Sequence, residues 1–181
     1  MRRLGLMRDD PISRPLVAEE VFELHAARLL LLFRHCGVKG RIDSLVKMAK
    51  LDFFVRYPEF LKVAAEAEGI AVESDAPGDS RMVRYRYGPW DERYYRLLAY
   101  LESVGLLEVK EKGTSYRLSL TELGSETASL LDDDPSFSDL VSHMKVVKRV
   151  LGKKSGTRLK SMVYELFEHE VAERPIGEVI D

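Results

Sequence analysis

The stretch LESVGLLEVKEKGTSYRLSLTELG, residues 101–124, decides the fold class that the sequence predicts. Residues 106–110 and 116–120 are two short runs typical of β-strands, and the turn-forming residues between them predict a hairpin. Gly105 stands where a glycine ends a helix, and Thr121 is placed to cap the next one. The predicted order is therefore helix, glycine, hairpin and helix.

Upstream of this stretch, the spacing of apolar residues predicts a row of helices. The first is predicted over 15–34, and its wide apolar coverage indicates a central position in the fold. Asp43 is placed to cap a short helix with apolar residues at 45–49. Further short units are predicted at 51–55 and from Pro58 onward. Short helices joined by tight turns are typical of a helix-turn-helix.

A loop, a strand and a longer helix are predicted between these units and the hairpin. Residues 66–80 are rich in Glu, Asp, Ala, Pro and Gly, which indicates a loop. Residues 81–87 interleave arginine with aromatic and β-branched residues, as in a short exposed strand that Gly88 and Pro89 end. The longer helix is predicted over 91–104, because its leucines recur at spacings of three and four.

The C-terminal part is predicted to be helical as well. Residues 132–135 have the composition of a linker, and helices are predicted over 136–151 and 156–169. The expected fold class is mainly α with a small β-hairpin wing, that is, a winged helix-turn-helix with additional C-terminal helices. The expected division is an N-terminal extension at 1–14, a winged-helix domain at 15–131 and a C-terminal helical extension at 132–181.

Three segments resemble known families. Residues 90–124 look like the helix, wing and closing helix of bacterial winged-helix proteins such as the MarR-like group. The segments KLDFFVRYP (50–58) and RMVRYRYGPWD (81–91) are similar to the middle component of the ABC three-component systems. In that prokaryotic family, a small winged-helix-like protein is encoded with an ABC-type ATPase of the chromosome-maintenance type and with an effector or toxin-like protein. The resemblance covers about residues 20–165.

This resemblance implies a nonenzymatic adapter subunit that docks on an ABC-type ATPase, with or without double-stranded DNA, in defence against phage or plasmids. The sequence holds no Walker A glycine and lysine loop, so nucleotide hydrolysis is expected to belong to the partner, and no cofactor is implied. The rival hypothesis is a winged-helix transcription regulator that binds a palindromic DNA site as a homodimer. An enzyme is the third and residual class.

Composition and charge narrow the classes of function and the cellular location that the sequence predicts. The 181 residues carry 28 Lys and Arg against 30 Asp and Glu, a balance that does not suit a protein coating nucleic acid through bulk charge. The longest strongly apolar run, 29–33, is far shorter than the ~20 residues that span a bilayer. An apolar signal core is not found near the first residue, and Cys36 is the only cysteine. A reducing cytoplasm, with no membrane contact, is expected.

Residues with catalytic or metal-binding chemistry form no convincing pattern. The four histidines have no paired spacing, and no second cysteine completes a zinc site, so no metal site is predicted. Cys36 follows His35, but adjacent helical residues point about 100° apart, so Cys36 is interpreted as a small core residue. The acidic run 132–134 is interpreted as a solvated linker or helix cap. No catalytic residue is predicted.

An arginine and aromatic band at 81–96 is the first candidate contact surface. Side chains of both kinds offer a large contact area with directional ends, which suits a protein partner. The alternative is that the aromatic residues pack under the wing while the arginines pair with the acidic loop. The predicted partner-binding residues are Arg81, Arg84, Arg86, Trp90 and Tyr94.

A second candidate surface is basic. Residues 140–164 hold seven cations and no acid, whereas residues 165–181 are strongly acidic. The basic stretch suits phosphate groups or an acidic partner, and the alternative is a solvated helix face. The predicted nucleic-acid-binding residues are Lys110, Lys112 and Arg117 of the wing together with Lys148, Arg149, Lys153, Lys154 and Arg158.

The segment 51–56 argues against DNA reading as the main task. It is the candidate recognition segment, yet it is apolar and carries an acid, Asp52, where a groove-reading helix offers Arg, Lys, Asn or Gln. We therefore expect it to be buried or to face a protein, and the adapter hypothesis takes precedence over the regulator.

Overall fold

A computed structural model describes residues 21–72, 82–85, 88–167 and 179–180 of the chain. Within these ranges the fold is mainly helical. The α-helices are α1 (Phe22–Cys36), α2 (Leu45–Arg56), α3 (Pro58–Ala67), α4 (Tyr94–Ser103), α5 (Glu122–Asp132), α6 (Ser138–Leu151) and α7 (Gly156–Leu166).

Two small antiparallel sheets accompany the helices. The first has the strand order β1-β5-β4 and contains the predicted hairpin, and the second has the order β3-β2-β6. The strands are β1 (Arg41–Asp43), β2 (Met82–Tyr85), β3 (Gly88–Trp90), β4 (Leu107–Lys112), β5 (Ser115–Leu120) and β6 (Val179–Ile180).

Helix α1 is the central element, as its apolar coverage predicts. Its residues 29–33 are all buried, and it packs against α2, α4, α5 and α6. The helix begins at Phe22, so the part of the predicted helix over 15–20 lies outside the described residues, and it continues past the predicted end at 34 to Cys36. The backbone N–H of Gly37 then donates to the Phe33 carbonyl and closes the last turn.

Helix α2 differs from the sequence prediction in two respects. The sequence predicted two short units at 45–49 and 51–55, but no Gly or Pro interrupts them, and the chain forms one helix. Asp43 was expected to cap it, and this is wrong because Asp43 belongs to β1. Ser44 takes the cap position, where its Oγ accepts from the Lys47 N–H at 3.1 Å. Pro58 opens α3, as predicted.

The hairpin forms as predicted, with a tighter turn. Strands β4 and β5 pair from Leu107 opposite Leu120 to Lys112 opposite Ser115, so the loop has only two residues, not the five predicted. Gly113 supplies the left-handed backbone, at φ +61°, that such a loop needs. Thr121 caps α5, because its Oγ1 accepts from the Gly124 N–H at 2.9 Å.

Both sheets contain strands that the sequence did not predict. In the first sheet, Ile42 of β1 lies opposite Leu118 of β5, and both side chains are buried. In the second sheet, Gly88 and Pro89 were expected to end a strand over 81–87, but they form β3, which folds back on β2. Gly88 has φ +90°, a conformation that glycine tolerates at this reversal. Hence the expectation that Gly88 and Pro89 only end a strand is wrong.

The C-terminal helices pack on the rest of the chain. Helix α6 packs against α1 and α2, and α7 packs against α2 and α3, so they share one hydrophobic core with the helices of the predicted winged-helix domain. The predicted linker at 132–135 is a tight connection, since Asp132 ends α5 and Asp134 Oδ1 accepts from the Ser136 N–H at 2.8 Å. The predicted extension at 1–14 lies outside the described residues. No helix in the described part is long and apolar enough to cross a membrane.

Candidate functional site

Trp90 and Tyr94, two predicted partner-binding residues, are buried. Trp90 is 7% exposed and Tyr94 is 0% exposed, and their rings pack edge to face with centroids 5.2 Å apart. The Tyr94 hydroxyl donates to Asp52 Oδ2 at 2.7 Å. Both side chains belong to the hydrophobic core, where α1 packs on α4 and α2 packs on β3, whereas a partner contact calls for exposed side chains.

Asp52 is the centre of a polar cluster that the sequence did not predict. Its carboxylate is fully buried on α2 and accepts from Arg28 of α1, with Nε at 2.9 Å and Nη2 at 3.2 Å. Together with the Tyr94 hydroxyl, this gives the carboxylate three donors. A buried charge needs such pairing, since desolvation alone costs several kcal/mol. Asp52 thereby joins α1, α2 and α4 at one point.

Asp91 forms the second half of this cluster, just before α4. Its carboxylate accepts from Arg56 Nη1 at 2.8 Å and from Arg93 through Nε at 2.9 Å and Nη2 at 2.7 Å. Burial opposes the ionisation of Asp91, but the hydrogen bonds from Arg93 and the charges of Arg56 and Arg93 prevail and lower its pKa to about 2. The bidentate Arg93 contact fixes the turn that leads into α4.

His25 connects the two halves. Its Nδ1 lies 2.7 Å from Arg28 Nη1, and its Nε2 lies 2.6 Å from Arg93 Nη1. A neutral imidazole can accept through only one nitrogen, so the two guanidinium groups compete for it. We refer to His25, Arg28, Asp52, Arg56, Asp91, Arg93 and Tyr94 as the buried charge network.

Lys50 is a buried cation beside this network. Its Nζ donates to the Pro89 carbonyl at 2.9 Å, and Gly88 leaves room for it, because a Cβ there would lie 3.4 Å from Nζ. Burial, followed by the charge of Lys160, lowers the pKa of Lys50 to about 7. Lys50 thus pins strand β3 to helix α2.

The three arginines predicted for the partner surface lie at or next to strand β2. Arg81 and Arg86 lie outside the described residues, and of Arg84 the structure describes only the backbone, which pairs with Pro89 in the second sheet. Arg28, Arg56 and Arg93 instead carry the ion pairs that the sequence reasoning missed. A signal for them existed, since Arg28 and Asp52 each interrupt an apolar run.

Helix α4, which contains the last residues of the band, carries exposed aromatic side chains at two places on its solvent side. Tyr95 is 62% exposed and Tyr100 is 39% exposed. Tyr100 packs edge to face against Phe22 with ring centroids 5.4 Å apart. The Arg96 guanidinium lies over the Phe22 ring, 5.7 Å from its centroid. We use the name α4 aromatic face for Phe22, Tyr95, Arg96 and Tyr100, of which Tyr95 lies about 140° around the helix from Tyr100 and packs near Trp90, with ring centroids 5.7 Å apart. It leads directly through Gly105 into the hairpin.

The hairpin cations are exposed, and two of them are paired. Lys110 Nζ lies 2.8 Å from Glu108, and Arg117 Nε lies 3.3 Å from Asp43. Lys112 is next to the loop and has no ion pair with the described residues. The three predicted wing cations therefore lie on one hairpin, with acids interspersed among them.

The basic stretch of α6 and α7 divides into cations with internal partners and cations without them. Lys148 donates to the carbonyls of Cys36 and Gly37 at 2.9 and 2.7 Å, which satisfies the end of α1. Lys154 pairs with Glu68 at 2.6 Å, and Arg158 pairs with Glu165 at 3.0 Å. Arg149 and Lys153 are exposed, with no partner among the described residues. Lys148, predicted as a nucleic-acid contact, thus uses its ammonium group to bind two backbone carbonyls within the fold.

Cys36 has the environment of a core residue. Burial raises the pKa of its thiol to about 12, and Sγ donates to the Met144 carbonyl at 3.4 Å. The thiolate that a nucleophile requires is therefore disfavoured. Within 21–72, 82–85 and 88–167, no group of three or more His, Cys, Asp or Glu side chains is arranged to hold a metal ion.

Comparisons with protein-family models, with curated proteins and with solved structures give no match.

Proposed function

We propose that the protein is a nonenzymatic winged-helix adapter subunit of a prokaryotic multi-component ABC-type ATPase complex, of the chromosome-maintenance or anti-phage defence kind. The order α4, Gly105, hairpin and α5 supports the winged-helix assignment. The family resemblance of residues 50–58 and 81–91 supports the partner class. In this proposal the ATPase hydrolyses nucleotide, and this chain supplies a docking surface.

The single observation that carries the proposal is the α4 aromatic face. Two tyrosines stand exposed on the helix that leads into the hairpin, and aromatic side chains are enriched at the centres of protein interfaces. Two exposed acids lie near Arg96 in sequence: Glu92 just before α4, and Glu102 within it. The charges beside the face are therefore mixed, which suits a protein partner better than a row of phosphate groups.

The segment 51–56, the candidate recognition segment, is fully buried, so it contacts neither a groove nor a partner. Its burial agrees with its apolar sequence. In this proposal, α4 therefore provides the docking surface. The helix next to a wing is also the one that a winged-helix protein presents outward. The adapter therefore meets its partner through α4 and the hairpin.

The test is co-purification of this protein with the ABC-type ATPase encoded by the adjacent gene, using the full chain. We expect a complex that weakens about tenfold or more when Tyr95→Ala and Tyr100→Ala are combined, because interface tyrosines are frequent hot spots. Leu130→Ala is the matched control, since Leu130 is 73% exposed on α5 and lies outside the aromatic face. No complex with the ATPase, or equal loss in the control, would overturn the proposal.

The second candidate is a DNA-binding winged-helix regulator, which the exposed hairpin cations favour. Lys110, Lys112 and Arg117 are placed where a wing contacts DNA phosphates. A mobility-shift assay across roughly 50 to 200 mM salt distinguishes the two functions, because phosphate contacts weaken steeply over that range. A regulator binds as a homodimer at a palindromic site and loses affinity when the three cations become glutamine. An adapter of the proposed kind shows no such site.

A further inference from the structure

A pocket of about 460 Å³ lies at the end of the first sheet that is remote from the hairpin loop. It is bordered by the C-terminal end of α1, the turn before β1, the end of β5, and helices α5 and α6. Its volume falls within the ~300–1,000 Å³ typical of small-molecule sites. The polar residues that line it are Arg34, His35, Lys39, Ser125, Asp132 and Lys145, and we call it the basic pocket.

The charges around the basic pocket are not balanced. Among the described residues, Asp132 is the only acid in the lining, and both its oxygens are already engaged, by Arg34 Nε at 3.0 Å and by His35 Nε2 at 3.1 Å. Lys39 and Lys145 are exposed and have no hydrogen bond or ion pair with the described residues. Two ammonium groups thus border one cavity with no ion partner of their own among the described residues, an arrangement that an incoming anion stabilises.

The backbone at Lys39 is a second, independent observation. Lys39 has φ +53° and Gly40 has φ +71°, and hydrogen bonds of 2.8 and 3.2 Å join Val38 and Arg41 across them. This is a tight reversal with two left-handed residues, a position that favours Asn, Asp or Gly. A lysine there strains the backbone, because its Cβ crowds the following carbonyl oxygen. Strain of this kind collects at functional sites, and here it holds an unpaired cation at the rim of the pocket.

We propose that the basic pocket binds a small molecule through a phosphate monoester group. Lys39 and Lys145 supply the positive charge, and the Ser125 hydroxyl is an additional donor for the phosphate oxygens. Leu120 gives an apolar wall for the remainder of the ligand. A concave site of ligand size suits a phosphorylated metabolite or nucleotide better than a DNA backbone. This inference is independent of the adapter role, because the α4 aromatic face takes no part in it.

Calorimetric titration of the full chain with inorganic phosphate and with adenosine monophosphate tests the proposal. We expect saturable binding of at least one of these probes to the wild-type protein. Lys39→Asn removes the cation and suits the left-handed backbone, so it should weaken binding about tenfold or more while the melting temperature stays the same or rises. Lys145→Gln should weaken binding to a similar extent.

Two further variants sharpen the test. Asp132→Asn removes the only acid of the lining, so it should tighten binding of the same probe. Lys112→Gln on the hairpin is the matched control, because it removes an exposed lysine that lies outside the pocket and should leave binding unchanged.

Several outcomes would overturn the proposal. The first is the absence of saturable binding by either probe up to ~10 mM, a dissociation constant that corresponds to about 3 kcal/mol of binding free energy. The others are wild-type affinity in both pocket lysine variants and equal losses in the hairpin control. Binding of a short DNA duplex with no binding of either phosphate probe would overturn it as well, and would assign the cations to the DNA backbone.

Discussion

The buried charge network and the basic pocket contain the same types of charged residue, but the charges are paired differently in the two regions. In the network, Asp52 and Asp91 are each matched by guanidinium groups at 2.7 to 3.2 Å, inside a core that excludes water. In the basic pocket, one carboxylate faces more cations than it can pair, and two lysines remain exposed. Charges that are paired in the core hold the fold together, whereas charges without a described partner on a concave surface are available to a ligand.

The largest difference between the two regions should appear on removing an acid from each. Asp52→Ala leaves Arg28 buried without its carboxylate, so we expect the free energy of unfolding to fall by about 3–5 kcal/mol. Urea denaturation at pH 7 measures this loss. Asp52→Asn is the control for size, and it should lose less because an amide oxygen still accepts from Tyr94. A loss below about 1 kcal/mol for Asp52→Ala would mean that the network does not stabilise the fold.

The second effect concerns Lys50, which is buried, donates to the Pro89 carbonyl and has no acidic partner among the described residues. Its pKa of about 7 in the folded chain lies below the unfolded value of 10.5, so the unfolded state binds more protons between these values. Stability from this group therefore rises as the pH increases from about 7 toward 10.5, and below about 7 the full cost of burying the charge is present.

Lys50→Met tests this pH dependence. The variant removes the buried charge and keeps all but the last atom of the side-chain length, so the rise in stability between pH 7 and pH 9, on the order of 2–3 kcal/mol, should disappear. At pH 6 the variant should be at least as stable as the wild type. Urea midpoints at the three pH values measure both effects. An unchanged pH slope in the variant would assign the titration to another group.

The smallest effect is expected at the basic pocket. Asp132→Ala breaks two partly exposed contacts, to Arg34 and His35, and surface pairs of this kind contribute at most about 1 kcal/mol. The same urea experiment at pH 7 measures it, and the loss should shrink in 0.5 M salt, at which charges about 4 Å apart are appreciably screened. A loss as large as that of Asp52→Ala would remove the distinction between the two regions.

The sequence predicted the helical part and the hairpin because their signals are local. Thr121 as a cap, Pro58 as a first helical residue and the leucines of α1 each act within a few residues of their own position. The mainly helical fold with a hairpin follows from these signals. Strand β1 escaped prediction because its three residues form a strand only when the distant β5 lies beside them.

The candidate sites were harder to predict for the same reason. Trp90 and Tyr94 were assigned to a surface because their density resembles an interface, and only the packing of α1 and α2 over them makes them core residues. The basic pocket joins residues that lie more than 100 positions apart, from Arg34 to Lys145, so no local pattern indicates it. Lys148 was predicted as a nucleic-acid contact from its charge, whereas its partners are carbonyls at the end of another helix.

The distances along the chain within the buried charge network have a kinetic consequence. Its bonds join residues 24, 42 and 68 positions apart, as in Arg28 with Asp52, Asp52 with Tyr94, and His25 with Arg93. Such contacts cannot form until long loops have closed, so they mature after the helices have docked. Interactions that form late slow unfolding more than they speed folding. We therefore expect loss of the network to shorten the lifetime of the folded chain more than it slows folding, while the hairpin, whose strands are neighbours in sequence, can form early.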